Sequence, residues 1–148
     1  MKRRVDRKER LRSICISINK KDLVINVLVR IPALFITVAS IYLSSLPYIP
    51  ALSGIRISDK LVHLVCFAGL AGSWTLWFPL NSWKKHSVRN LLICVIGVAL
   101  YGVLDEWHQS FTPHREVSAY DWLADVGGAI LGSVSGCFLM RLLVKKRI

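Results

Sequence analysis

The chain has 148 residues, 53% of them apolar, with a mean hydropathy of +0.46 and a formal net charge of +11. That hydropathy is high for a soluble domain of this length and ordinary for a small protein that crosses a bilayer several times. A basic balance can mark nucleic-acid binding. Here the basic residues cluster outside the apolar runs, where Lys and Arg sit on the cytoplasmic side of spans and meet anionic lipid, so no nucleic-acid partner is expected. Cys15, Cys66, Cys94 and Cys137 stand alone without a C-x-x-C pair. They read as buried small hydrophobes, not as a zinc ribbon or a redox couple.

In chain order, residues 1–22 form a basic cytoplasmic tail, with Lys2, Arg3, Arg4, Arg7, Lys8, Arg10, Arg12, Lys20 and Lys21 ahead of the first apolar run. Residues 23–148 form the transmembrane domain. The first span, about 24–46, is too long for the apolar segment of a cleaved signal peptide. Arg30 lies near its start as a boundary anchor that snorkels to head groups. Pro47 and Pro50 end the span, and Ser58 or Asp59 caps the next helix. The second span covers about 61–80 by the roughly 20-residue rule. Asp59 and His63 share a face there, and Trp74, Trp77 and Trp83 lie toward the far interface. Residues 81–89 read as a short polar link, with His86 a solvated loop residue.

The third span, about 90–109, ends in a charged turn. Tyr101, Asp105 and His108 fall on one face, and Glu106 is rotated toward a neighbour. Pro113 breaks the helix, and Ser118-x-x-Asp121 resembles a capping arrangement. The fourth span covers about 121–144. Gly128, Gly132 and Gly136 repeat at spacing four as a close-packing ridge, and Asp125 points to nearly the same side.

Orientation follows from Lys and Arg. The tail, the second connection and the C-terminus carry nine, three and four of them, and the first and third connections carry two and one. Both termini are therefore expected in the cytoplasm, with four crossings of the membrane. The fold class expected is all-α, a four-helix transmembrane bundle. Three segments then deliver Asp59, Lys60, His63, Asp105, Glu106, His108, Arg115, Asp121 and Asp125 to the same extracytoplasmic level.

These residues resemble a known pattern. D-K-x-x-H at Asp59, Lys60 and His63 is one half. Y-x-x-x-D-E-x-x-Q at Tyr101, Asp105, Glu106 and Gln109 is the other, followed by P-x-R at Pro113 and Arg115, and D-x-x-A-[DN]-x-x-G-x-x-x-G from Asp121 to Gly132. Together they resemble the VanZ-like family of small bacterial membrane proteins over roughly residues 40–140. The resemblance implies a helical multi-span protein whose namesake is associated with low-level resistance to the glycopeptide teicoplanin. The chain departs from the family pattern at His114, where members often carry Gly, and at Asp125, where many carry Asn.

Three kinds of chemistry fit the cluster. One is the binding or processing of a cell-envelope lipid or glycolipid head group, linked to an envelope or glycopeptide response. Lys60 and Arg115 would hold phosphate, and Asp105, Glu106 and His108, as the catalytic candidates, would handle protons. Asp59, Lys60, His63, Tyr101, Gln109, Arg115, Asp121 and Asp125 are the ligand-binding candidates. No nucleophile elbow is present. The second is a metal site, since His63, Asp105, Glu106, His108 and Asp121 include good ligand types. H-E-x-x-H is absent, so no metal and no cofactor are expected. The third is a non-catalytic scaffold whose charges pair to fix helix packing. The partners implied are the lipid bilayer and a lipid or glycolipid head group, and oligomeric state is left open.

Overall fold

Proline and apolar length divide the chain into helices. The structure, a computed structural model, describes residues 20–47, 59–115 and 117–146. These form α1 (Lys20–Leu28), α2 (Ile31–Ser44), α3 (Asp59–Thr75), α4 (Leu80–Gln109) and α5 (Ala119–Lys146). The protein is all-α, with no strand among the described residues. The basic tail through residue 19, the Pro50 and Ser58 readings, and Cys15 lie outside the described residues.

Three stretches are long and apolar enough to cross a membrane: Val24–Ser44, Leu80–Gln109 and Ala119–Lys145. With 17 residues, α3 is shorter than these three, at the lower end of spanning length. Large apolar side chains point outward along the bundle, with Phe35 72%, Tyr120 71% and Phe138 66% exposed. An apolar surface of this extent is stable against lipid and not against water. The protein is a membrane protein.

Helix boundaries differ from the sequence reading at three places, each for a local reason. The first span is interrupted at Val29 and Arg30. It restarts at Ile31 with Pro32 inside the first turn, where a missing N–H leaves no bond unmade. The second helix stops at Thr75, short of Leu80. Its last carbonyl is taken by the indole N–H of Trp83, at 3.1 Å. The polar stretch 81–89 is helical, not a loop. Pro79 in an extended conformation starts α4 at Leu80, and the helix bends at His86 (φ −139°, ψ 39°). Asn90 and Ser82 bond across that bend at 2.8 Å. Trp83 is therefore buried against Phe78 and does not join an interfacial belt. Trp74 and Trp77 do stack together, and the Arg30 guanidinium lies 5.9 Å from the Trp77 ring. That places Arg30 level with the C-terminal end of α3, as a boundary anchor would be.

The glycine ridge brings α3 and α5 together. A Cβ on Gly128 would run into the Leu64 carbonyl, and one on Gly132 into the backbone of Ala68. Only hydrogen in place of a side chain permits this approach. Phe67, Leu70 and Ala71 of α3, Val98 of α4, Ala129 of α5 and Ala33 of α2 fill the middle of the bundle. Gly69 instead faces the flexible Ile36 tip at 3.5 Å. Replacing Gly132 with Ala should lower thermal stability in detergent by about 1–3 kcal/mol, the usual range for overpacking. Gly69→Ala should leave the melting temperature nearly unchanged.

Candidate functional site

At the end of the bundle away from Trp83, the interior becomes polar. The turn following Tyr101 on α4 faces α2. The Tyr101 hydroxyl lies 2.7 Å from Ser40 Oγ, and Ser44 Oγ donates to Asp105 Oδ1 at 2.7 Å. His108 Nε2 is 2.9 Å from Ser45 Oγ. The shared face of Tyr101, Asp105 and His108 is thus real, and the serines of the first span occupy it. Gln109 Nε2 completes the Asp105 carboxylate by donating to Oδ2 at 3.0 Å.

Glu106 is rotated away from α2, toward α5. Its Oε2 accepts the Ser118 N–H at 2.9 Å. Glu106 therefore anchors the turn that opens α5, in which the amides of Asp121 and Trp122 both reach the Ser118 carbonyl. Asp121, expected to take part in a cap with Ser118, instead accepts from Lys60 Nζ at 2.9 Å. One turn on, Asp125 Oδ1 lies 2.9 Å from His63 Nδ1, and this pair is buried, 8% and 0% exposed at the side chains. So α3 and α5, already in backbone contact, are also joined by two polar pairs one turn apart, Lys60–Asp121 and His63–Asp125.

Arg115 leads the last connection back to the start of the bundle. Its Nε donates to the Leu46 carbonyl at 3.2 Å and its Nη1 to Asp59 Oδ2 at 3.1 Å. Thr112 Oγ1 reaches the Ser44 carbonyl at 3.1 Å. The α4–α5 connection is therefore stitched to the C-terminal end of α2, whose last carbonyls have no intrahelical partner. His114, just before Arg115, sits in the left-handed region (φ 62°). That conformation favours Gly, the residue the resemblance places there.

The sequence candidates fall into four groups, with His63 common to two of them. Asp59, His63, Asp105, Gln109 and Arg115 line one cleft between α2, α3 and α4, together with Ser40 and Ser44. Its enclosed volume is about 30 Å³, room for two or three water molecules. Lys60 and Asp121 pair on the other side of α3, outside that cleft, so Lys60 and Arg115 do not converge on one phosphate. Glu106 forms a separate cluster with His63 and Asp125, in which one ligand atom from each lies within 4.8 Å of the others. Tyr101 and His108 are held by α2. Sequence reasoning does not reach Ser40, Ser44 and Ser45, because a hydroxyl in or beside an apolar run leaves no mark on hydropathy, nor Thr112, which reads only as part of a helix-breaking turn. Their spacing four apart, Ser40 to Ser44, against Tyr101 and Asp105 four apart, is the one signal that pairs the two faces.

An all-α membrane bundle with a polar layer at one end, tied by Asp59, His63, Arg115, Asp121 and Asp125, is the class of protein this geometry defines. The chain belongs to the VanZ/LLP1 family, whose model matches residues 16–141. No curated protein and no solved structure matches it.

Breaking the buried pair by Asp125→Ala strands His63 without its partner. Leaving a buried hydrogen-bonding group without its partner costs about 1–3 kcal/mol. Lys60→Ala acts at a half-exposed cation and should destabilise far less. Thermal unfolding of the two purified variants, measured side by side in one detergent, reads the difference.

Proposed function

We propose that this is a multi-pass protein of the bacterial cytoplasmic membrane, with both termini in the cytoplasm, that engages the polar head group of a cell-envelope lipid or glycolipid at its outward end. The observation that carries the reading is the cleft between α2, α3 and α4. Its wall sets hydroxyl, carboxylate, imidazole, amide and guanidinium groups among the apolar side chains of Leu43, Val62, Cys66 and Phe67. Arg115 spends three N–H groups on Leu46, Asp59 and Leu43, and the rest of its fork is available to an anionic group. The enclosed volume admits one small substituent of a head group, so recognition takes place at the mouth and the bulk of the lipid stays in the bilayer. Basic residues concentrated in the tail and the C-terminus support the orientation. The family supports a link to the envelope, and a glycopeptide response is the physiological form that the resemblance suggests.

A second reading has its own observation. Asp59, Lys60, His63, Asp105, Arg115, Asp121 and Asp125 each have a partner within the chain. A scaffold in which charges only set the helix order needs nothing more.

One measurement tests the orientation, and a second separates the two readings. Pro113→Cys, in a chain whose native cysteines are replaced, should react with a membrane-impermeant maleimide added to intact spheroplasts; labelling only after lysis reverses the topology. The purified protein should retain anionic envelope lipid in native mass spectrometry, and Arg115→Lys, which keeps the charge but not the planar fork, should lose most of it. Equal retention by both proteins, or none by either, leaves the scaffold reading.

A further inference from the structure

Two buried oxygens at the polar end have no donor. Glu106 Oε1 and Asp125 Oδ2 lack a hydrogen-bond partner among the described residues, and both are shut off from solvent. The residues that carry them are 5% and 0% exposed. An unpaired carboxylate oxygen away from water costs far more than an exposed one. Two of them on neighbouring helices make the same demand of one region.

His63 brings a third group to that region. His63, Glu106 and Asp125 come from α3, α4 and α5, one residue from each helix, and offer ligand atoms within 4.8 Å of one another. The other acids nearby are already served. Asp105 takes donors from Ser44 and Gln109, and Asp121 takes Lys60. The backbone leaves space for this group as well: a Cβ on Gly102, one turn before Glu106, would lie 2.9 Å from Asp125 Oδ2.

We infer that His63, Glu106 and Asp125 bind a divalent transition-metal ion of the zinc or manganese type, held by one imidazole and two carboxylates. Charge decides the class of ligand. Two carboxylates with a neutral imidazole carry two negative charges, and a dication cancels them where the two unpartnered oxygens are buried. The donor set suits such ions: imidazole and carboxylate oxygen are ordinary ligands of zinc, and carboxylates extend the choice to manganese. Three ligands from facing helices are also the way bundles build metal sites in their cores. Ligand bonds of about 2.0–2.2 Å draw the three groups inward from their present separation, a change within the reach of the Glu106 side chain. The set differs from the grouping the sequence suggested. Asp105, His108 and Asp121 are committed elsewhere, and Asp125 replaces them. The site stands whether or not the neighbouring cleft takes a lipid.

The competing occupant is a proton shared by Glu106 and Asp125. The full chain, purified in detergent without chelators, should carry one ion per chain by elemental mass spectrometry. After chelator treatment it should regain one equivalent of Zn²⁺ or Mn²⁺ supplied alone, and its melting temperature should rise as the ion is added. Glu106→Gln and Asp125→Asn should each weaken that binding at least about tenfold, as losses within a metal's coordination sphere do. Lys85→Ala, on the exposed face at the opposite end of the bundle, should bind as the parent does. A wild-type chain that takes up no stoichiometric ion, with a melting temperature indifferent to both metals, overturns the assignment in favour of the proton. So does a Glu106→Gln chain that binds as tightly as wild type. The wild-type titration decides the matter alone if the variants fail to fold.

Discussion

A carboxylate without water must find its donors inside the protein, and this requirement orders the polar end of the bundle. Asp105, Glu106, Asp121 and Asp125, from two helices, meet there, and between them they hold three other parts of the chain: α2, the entry to α5, and, twice, α3. Asp105 recruits α2 through Ser44, Glu106 fixes the entry to α5 through the Ser118 amide, Asp121 reaches Lys60, and Asp125 reaches His63. The two bonds to α3 lie one turn apart and fix its rotation and its height against α5. Together the four acids set the rotation of every helix about its own axis, which dispersion against lipid could not do, because lipid tails and Leu side chains are equally apolar.

Backbone contact makes this polar layer possible. Gly128 and Gly132 let α3 lie directly against α5, and only at that spacing does the short Asp125 side chain reach His63. The opposite end is built on another principle. Trp83, Cys137 and Met140 fill it with apolar volume, and the bend at His86 folds the first turns of α4 beneath the bundle. One end is thus defined by bonding and the other by bulk.

Much of this was legible in the residues. The glycine spacing announced a close-packing ridge on the last helix, though not that α3 would be the helix against it, and the angle between Gly128 and Asp125 put that acid on the inner side. The opposed directions of Asp105 and Glu106 followed from their adjacency on a helix. What failed to show has common physical roots. Hydropathy averages over a window, so it registers neither Ser40, Ser44 and Ser45 as partners nor the two-residue interruption at Val29 and Arg30. Polar composition at 81–89 suggested a loop, but Pro79 and the Ser82–Asn90 bond make a bent helix of it. Pairing across helices depends on axial rotation and depth together. Lys60 and Arg115 were therefore expected at one phosphate, yet they lie on different sides of α3.

The attachment of α2 has a different character from the rest. Its polar ties to the bundle are hydroxyl groups and terminal carbonyls: Ser40 to Tyr101, Ser44 to Asp105, Ser45 to His108, and Leu46 to Arg115. Such bonds exchange readily for water or a polar visitor, whereas glycine-against-backbone contact has no substitute. The seam along α2 is therefore the weakest joint in the assembly. It coincides with the border of the cleft, so whatever parts the helices will part them there, leaving α3 and α5 together as a fixed spine.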